Sequence, residues 1–132
     1  DGRIKTLNPL IYASLLYIRD NQKHKKQFLK LNIPEINIIV VNLYPFEKYY
    51  KSKIYNKAIE MIDIGGPSLL RAASKNYKFI TPIIKTSDYP KLIANINKNN
   101  GETDMIFRKK MAYKVFKETS RYDKKIADWL SE

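Results

Sequence analysis

Cysteine is absent from the 132 residues, histidine and tryptophan each occur once, and no apolar run is longer than four residues, as in Ile38 to Val41. The missing cysteine excludes a disulfide framework, a zinc–thiolate cluster and a cysteine nucleophile, and a single histidine excludes most histidine-rich metal sites. Four apolar residues fall far short of the ~20 that a bilayer-spanning helix needs. The amino-terminal residues form no apolar signal segment either, so the chain reads as cytosolic, with no membrane partner. Apolar mass itself is plentiful: 44% of the residues are hydrophobic, enough for one domain with a real core rather than a disordered polymer.

Acidic residues are scarce beside basic ones, 13 against 25, for a formal charge of +12. A clustered excess of that size would favour a polyanion by displacing counterions from phosphates. Here the lysines are spread from Lys5 to Lys125, and the densest group, Lys23-His24-Lys25-Lys26, falls where a solvated helix face is expected. The charge therefore reads as a bias towards Ile, Lys, Asn and Tyr along the whole chain, which argues against a nucleic-acid partner. His24, inside that group, reads as an exposed surface imidazole.

The densest chemistry lies in Ile62-Asp63-Ile64-Gly65-Gly66-Pro67-Ser68-Leu69-Leu70-Arg71-Ala72-Ala73-Ser74-Lys75-Asn76. Gly65 and Gly66 allow a tight turn and close approach by a ligand, Pro67 suits the first helical position, and Leu69, Leu70 and Ala73 give the helix a buried face. Free N–H groups at such a helix start favour an anion. Taken alone, the stretch is better explained as a capped α-helix after a turn than as a small-molecule site.

Along the rest of the chain, Leu10 to Leu16 is a short apolar segment, and Asp20 can cap a helix reaching about Leu31, with Pro34 as the stop. Ile36 to Leu43, β-branched and apolar on both faces, predicts a central strand covered on both sides. A short helix over Ile54 to Met61 precedes the glycine turn. Phe79 to Ile84 predicts a second buried strand, placed at an edge by Pro82. Ser87 or Asp88 caps a helix ending near Gly101, Phe107, Met111 and Val115 mark the next, and Arg121 to Leu130 is helical. Alternating strands and helices predict an α/β fold with a mostly parallel sheet and helices on both faces. About three strands are expected where an open α/β sheet has ~5, so the unit reads as incomplete at its amino terminus.

Three ordered segments carry a family resemblance: Asp1-Gly2-Arg3-Ile4-Lys5-Thr6-Leu7-Asn8-Pro9, then Val40-Val41-Asn42-Leu43-Tyr44-Pro45-Phe46, then the glycine stretch through Asn76. With Tyr122-Asp123 and Ile126-Ala127-Asp128 near the end, they resemble the IMP cyclohydrolase domain of the bifunctional purine biosynthesis proteins, which also carry an AICAR formyltransferase. The resemblance runs along nearly the whole chain. It implies a methylglyoxal-synthase-like α/β domain, with residues 1–132 as a partial cyclohydrolase domain lacking the formyltransferase region. The implied reaction closes the second purine ring, turning 5-formamidoimidazole-4-carboxamide ribotide into IMP and water, with no cofactor or metal. The implied partners are that purine ribonucleotide precursor and IMP, and the parent protein allows a homodimer.

Position by position, the resemblance places Arg3, Ile4, Lys5 and Thr6, then Val41 and Asn42, then Asp63 and Ile64, in the nucleotide-binding segments. It puts Lys75 on the family's proton donor and acceptor, with Lys5, Tyr44 and Asp63 around the reacting groups. Such a set suits the chemistry. The carboxamide nitrogen must lose a proton as it attacks the formyl carbon, and the carbonyl oxygen gains charge before leaving as water. Both reacting groups sit on one molecule, so a modest set of side chains suffices. Lys and Tyr can donate to the developing oxyanion, and Asp can orient the amide or hold a lysine charged. Singly, each residue has a plainer explanation: two solvated lysines, a packed loop tyrosine before Pro45, and an aspartate bracing the glycine turn.

An unbroken helix from Pro67 puts Lys75 on the order of 12 Å from its start, too far to grip one atom together with Asp63. Either the substrate lies along the helix, or the helix ends early, or Lys75 serves another part of the site. Asn8 stands where the family usually has histidine, and Tyr12, Ala13 and Ser14 where it has a histidine and two glycines. The upstream phosphate-holding Ser-Thr-Gly-Gly loop is expected to lie outside this sequence, leaving a sheet edge unpaired. Two other readings stand beside the enzyme. One is a non-catalytic remnant that binds nucleotide without closing the ring. The other is a basic nucleic-acid-binding α/β module, which requires a steeply salt-dependent affinity for oligonucleotides.

Overall fold

Polar side chains at the element ends set where the chain turns. In the computed structural model, which describes residues 7–50 and 55–131, Asn8 opens helix α1 (Pro9–Leu16): its side-chain oxygen accepts the Leu10 N–H, and Pro9 follows at a position with no N–H to satisfy. The apolar segment 10–16 is thus helical. Helix α2 (Gln22–Leu29) is capped by Asn21, whose Oδ1 accepts the N–H groups of Lys23 and His24. Asp20, the expected cap, pairs instead with Lys78. His24 is half-buried rather than exposed, because its Nδ1 accepts the Ile18 N–H at 3.1 Å.

Strand β1 (Ile38–Val40) is followed by the short helices α3 (Phe46–Tyr50) and α4 (Tyr55–Glu60), then α5 (Gly65–Lys75) and strand β2 (Thr81–Ile83). The strands are parallel, pairing Ile38 with Thr81, Ile39 with Pro82 and Val40 with Ile83, and the described residues hold no third strand. A short 3-10 turn (Thr86–Asp88) leads into α6 (Tyr89–Lys98), and α7 (Met105–Leu130) is one continuous helix of 26 residues. The two stretches expected around Met111 and after Arg121 are therefore a single element. Asp104 starts it by accepting the Phe107 N–H at 2.7 Å. Helix α6 stops where Asn100 and Gly101 take positive φ and the Gly101 N–H reaches back to the Ile96 carbonyl at 3.0 Å. Asp88 does not cap α6 through its side chain. Its buried carboxylate pairs with Lys114 of α7 and with Lys91 at 3.7 Å.

Alternation along the strands sends neighbouring residues to opposite faces. Ile39 packs with Leu15, Ala73 and Ile80 under α1 and α5, whereas Ile38 packs with Ile83, Leu92 and Met111 under α6 and α7. Helices thus cover both faces of a parallel sheet, as the sequence pattern predicts. The expected burial holds for β2 and fails for β1. β2 is wholly buried, because α5 and α7 meet around its end through Leu70, Ile84 and Val115. β1, expected to be central, is only half-buried and leaves Val40 45% exposed. Pro82 fits because the ladder runs through its neighbours: Thr81 N–H donates to the Asn37 carbonyl and Val41 N–H to the Ile83 carbonyl, both at 2.9 Å. The Pro82 nitrogen faces away from β1, where no ladder hydrogen is needed.

Two side chains fix α1 to this sheet. Ser14 donates to the Pro34 carbonyl at 3.0 Å and accepts the Ile36 N–H at 2.8 Å, and Asn76 donates to the carbonyls of Leu15 and Tyr17. Tyr17 stacks on Phe28 with centroids 4.1 Å apart and donates its hydroxyl to Glu35. Burial, aided by the bond to Glu35, pushes the Tyr17 hydroxyl up to about 12. The folded value lies above the unfolded one, so the associated stability is complete below about pH 10 and is lost as pH rises through 12. A Tyr17→Phe variant should show a flatter fall of melting temperature over that range, and an unchanged slope would refute the assignment. At Leu70 of α5, fully buried against Ile84 and Val115, truncation to alanine should cost about 2–5 kcal/mol in urea unfolding. A loss under about 1 kcal/mol would mean that α5 and α7 are not held there.

Candidate functional site at the carboxyl ends of the strands

In a parallel sheet the carboxyl ends of the strands carry the loops that meet ligands. Here β1 runs into Val41, Asn42, Leu43 and Tyr44, and α5 begins beside them at Gly65. The two segments lie 19 residues apart and are joined by one carboxylate. Asp63 Oδ2 accepts the Tyr44 N–H at 3.3 Å, and Asp63 Oδ1 accepts the Gly66 N–H at 2.8 Å. Asp63 therefore caps α5 from one residue before its boundary, since Ile64 makes no side-chain cap bond. Pro67 sits inside the first turn rather than at its first position.

Gly66 is required for space. A Cβ there would lie 2.5 Å from Asp63 Oδ2 and 3.0 Å from Cγ and Oδ1, so any side chain pushes the carboxylate off both amides. The outer side of the turn is held from α7. Tyr122 accepts the Asp63 N–H at 2.9 Å and donates to the Met61 carbonyl at 3.0 Å. Its hydroxyl is raised above the ordinary tyrosine value, mainly by burial and further by the carboxylates of Asp63 and Asp123, with the Asp63 N–H opposing. The Tyr122 ring meets Phe46 edge-on at 6.3 Å, and Phe46 meets Trp129 the same way at 5.4 Å.

Beside this turn lies a cavity of about 170 Å³, bounded by Leu43, Ile84, Lys85, Glu118, Arg121 and Tyr122. Glu118 accepts from Lys85 at 2.6 Å and from Arg121 at 2.7 Å, so its floor is a three-membered ion network. Among the described residues, no helix is long and apolar enough to cross a membrane, and no group of three or more His, Asp or Glu could hold a metal ion.

The sequence-predicted residues divide into three groups. Val41, Asn42, Tyr44, Asp63 and Ile64 come together at one end of the sheet, with Tyr44, Asn42 and Ile64 exposed and Val41 packed against the Leu70 cluster. Lys75 does not join them. Helix α5 is unbroken from Gly65, so Lys75 lies about 15 Å away, exposed, towards the amino ends of the strands. Arg3, Ile4, Lys5 and Thr6 lie outside the described residues. Tyr122, which grips the backbone around Asp63, appeared in the sequence only as part of a closing motif. Its signal was the spacing of Tyr122, Ile126 and Trp129 on α7, which marks a helix face without naming its target.

Gly66→Ala should displace the Asp63 carboxylate and speed hydrogen exchange at the Tyr44 and Gly66 amides, while the Val115 amide keeps its protection. Unchanged exchange at Tyr44 would show that Asp63 does not bridge the two segments.

Comparison with known proteins gives a consistent result. The AICARFT/IMPCHase bienzyme family matches residues 73–132. The chain is 47% identical over 133 aligned residues to the bifunctional purine biosynthesis protein PurH of Chlorobium phaeobacteroides, an alignment covering 99% of the chain and 25% of that protein. Against PurH of Enterococcus faecalis the identity is also 47%, with 99% and 26% covered, and against PurH of Ruegeria pomeroyi it is 41%, with 100% and 25% covered. The chain thus spans about a quarter of the length of these curated relatives. A solved structure titled "Crystal structure of ForH" superposes with a TM-score of 0.77 at 25% identity, covering 98% of this chain and 68% of that one.

Proposed function

We propose that this chain, which the AICARFT/IMPCHase bienzyme family matches over residues 73–132 and which is 47% identical to two PurH proteins, forms part of the IMP cyclohydrolase centre of a bifunctional purine biosynthesis protein. In that reading it takes part in closing 5-formamidoimidazole-4-carboxamide ribotide to IMP. The observation that carries the proposal is the Asp63 bridge. It draws the segment ending at Tyr44 and the glycine turn, remote in sequence, into one wall at the strand ends.

The reaction forms a bond from the carboxamide nitrogen to the formyl carbon, and the formyl oxygen leaves as water. There is no net oxidation or reduction, and the proposal assigns no cofactor or metal. The carboxamide nitrogen sheds one proton as it attacks, and the formamido nitrogen sheds a second as the ring C=N bond forms. The formyl oxygen collects both as its bond to carbon breaks and it leaves as water, so donors and acceptors have to stand on both sides of the new bond. Tyr44, exposed on the segment whose backbone Asp63 holds, can donate its hydroxyl proton to the developing oxyanion. Asp63 has both oxygens committed to backbone amides, so its first task is to fix the wall, and its remaining lone pairs can orient the substrate amide. Lys5 joins the set from outside the described residues. With α5 unbroken, a substrate that meets both Asp63 and Lys75 lies along that helix.

The test is ring closure by the full-length protein that contains this sequence, followed by absorbance as IMP forms. Asp63→Ala and Lys75→Ala should each lower turnover by about 10²-fold or more. Loss in Asp63→Ala alone would confine the centre to the glycine turn and release Lys75 from it. Wild-type rates in both variants would remove the assignment.

A further inference from the structure

We propose that Tyr122 is the positioning residue of this site, acting from α7 through the backbone of the Asp63 turn rather than touching substrate; the inference rests on the cyclohydrolase reading above. Three observations support it. First, the hydroxyl makes two bonds of opposite sense to residues on either side of Ile62, accepting the Asp63 N–H and donating to the Met61 carbonyl. Such a pair fixes the peptide planes about Ile62 and so the direction in which the Asp63 side chain leaves the chain. Second, that direction has little slack. Asp63 must bond amides on two different segments, and the floor under it at Gly66 would be struck by a single added carbon. Third, Asp63 and Tyr122 stand 59 residues apart, and no short-range turn chemistry would bring them together.

The bonds also suit a fixed support. The hydroxyl's pKa is raised, chiefly by burial, so the proton given to the Met61 carbonyl is held more firmly than on an ordinary tyrosine. The carboxylates facing the hydroxyl are Asp63 and Asp123, and both oppose its ionisation. The ring is placed independently by Phe46, which itself packs on Trp129 and Tyr50, so removing the oxygen leaves the aromatic cluster in place.

The experiment uses the full-length protein. Tyr122→Phe deletes both bonds and keeps the ring, and should lower kcat about tenfold with KM within about twofold, as expected when only a catalytic group is misdirected. Trp129→Leu, which strips packing from the same cluster and leaves both hydroxyl bonds, should lower the melting temperature and keep kcat. In an Asp63→Ala background, Tyr122→Phe should cost nothing further, because its route to the chemistry is already gone. The inference is overturned if Tyr122→Phe keeps the wild-type kcat, if Trp129→Leu lowers kcat equally, or if the two losses multiply in the double variant. A wild-type protein with no ring closure at all would instead refute the cyclohydrolase reading.

Discussion

The geometry of the strand-end wall hangs on one carboxylate that serves two amides at once. Asp63 reaches the Tyr44 N–H on one side, at 3.3 Å, and the Gly66 N–H on the other, at 2.8 Å. Everything around it can be understood as support for that posture. Gly66 withholds a side chain, α5 presents its first free N–H groups, and the buried end of β2 clamps α5 against α7 through Leu70, Ile84 and Val115. A helix start usually takes its cap from the residue at its boundary. Here the boundary residue is an exposed isoleucine, and the cap comes from one position earlier, which frees the turn to extend towards the strand ends.

Asn8 and Ser14, two of the positions read in the sequence as departures from the resemblance, have local physical uses. Asn8 caps α1 through the Leu10 N–H, and Ser14, fully buried, exchanges hydrogen bonds with Pro34 and Ile36 and so ties α1 to the entry of β1. Several of the basic residues are likewise used in ion pairs within the fold. Lys78 pairs with Asp20, Lys114 with the buried Asp88, and Lys85 and Arg121 share Glu118. A charge distributed in this way stabilises several separate junctions and does not collect into one stripe.

What was legible in the sequence is what local chemistry determines. The period of Leu69, Leu70 and Ala73, the alternation around Ile38 and the glycine pair announce α5, β1 and the turn, and Pro82 correctly marks a residue with no ladder hydrogen to give. Caps were less legible because neighbouring residues compete: Asn21 displaced Asp20, and Asp88 was drawn away from α6 by Lys114. The relative burial of the strands could not be read from their composition. It depends on which helices close around them, and α5 and α7 close around β2. Within the site, Asp63 was visible by its neighbours, whereas Tyr122 was hidden by its remoteness. The spacing argument for Lys75 was sound, since the unbroken helix keeps it away from Asp63.

That remoteness also has a consequence in time. A ribosome adding about 5–20 residues per second needs about 3–12 s to travel the 59 residues from Asp63 to Tyr122. For that interval the glycine turn exists without its brace, and for most of it the helix pair that closes β2 is absent too, because Val115 is still unmade. The wall at the strand ends is therefore among the last parts of this segment to acquire its shape. A nascent chain carries the aspartate and both glycines well before it carries the geometry that gives them a use.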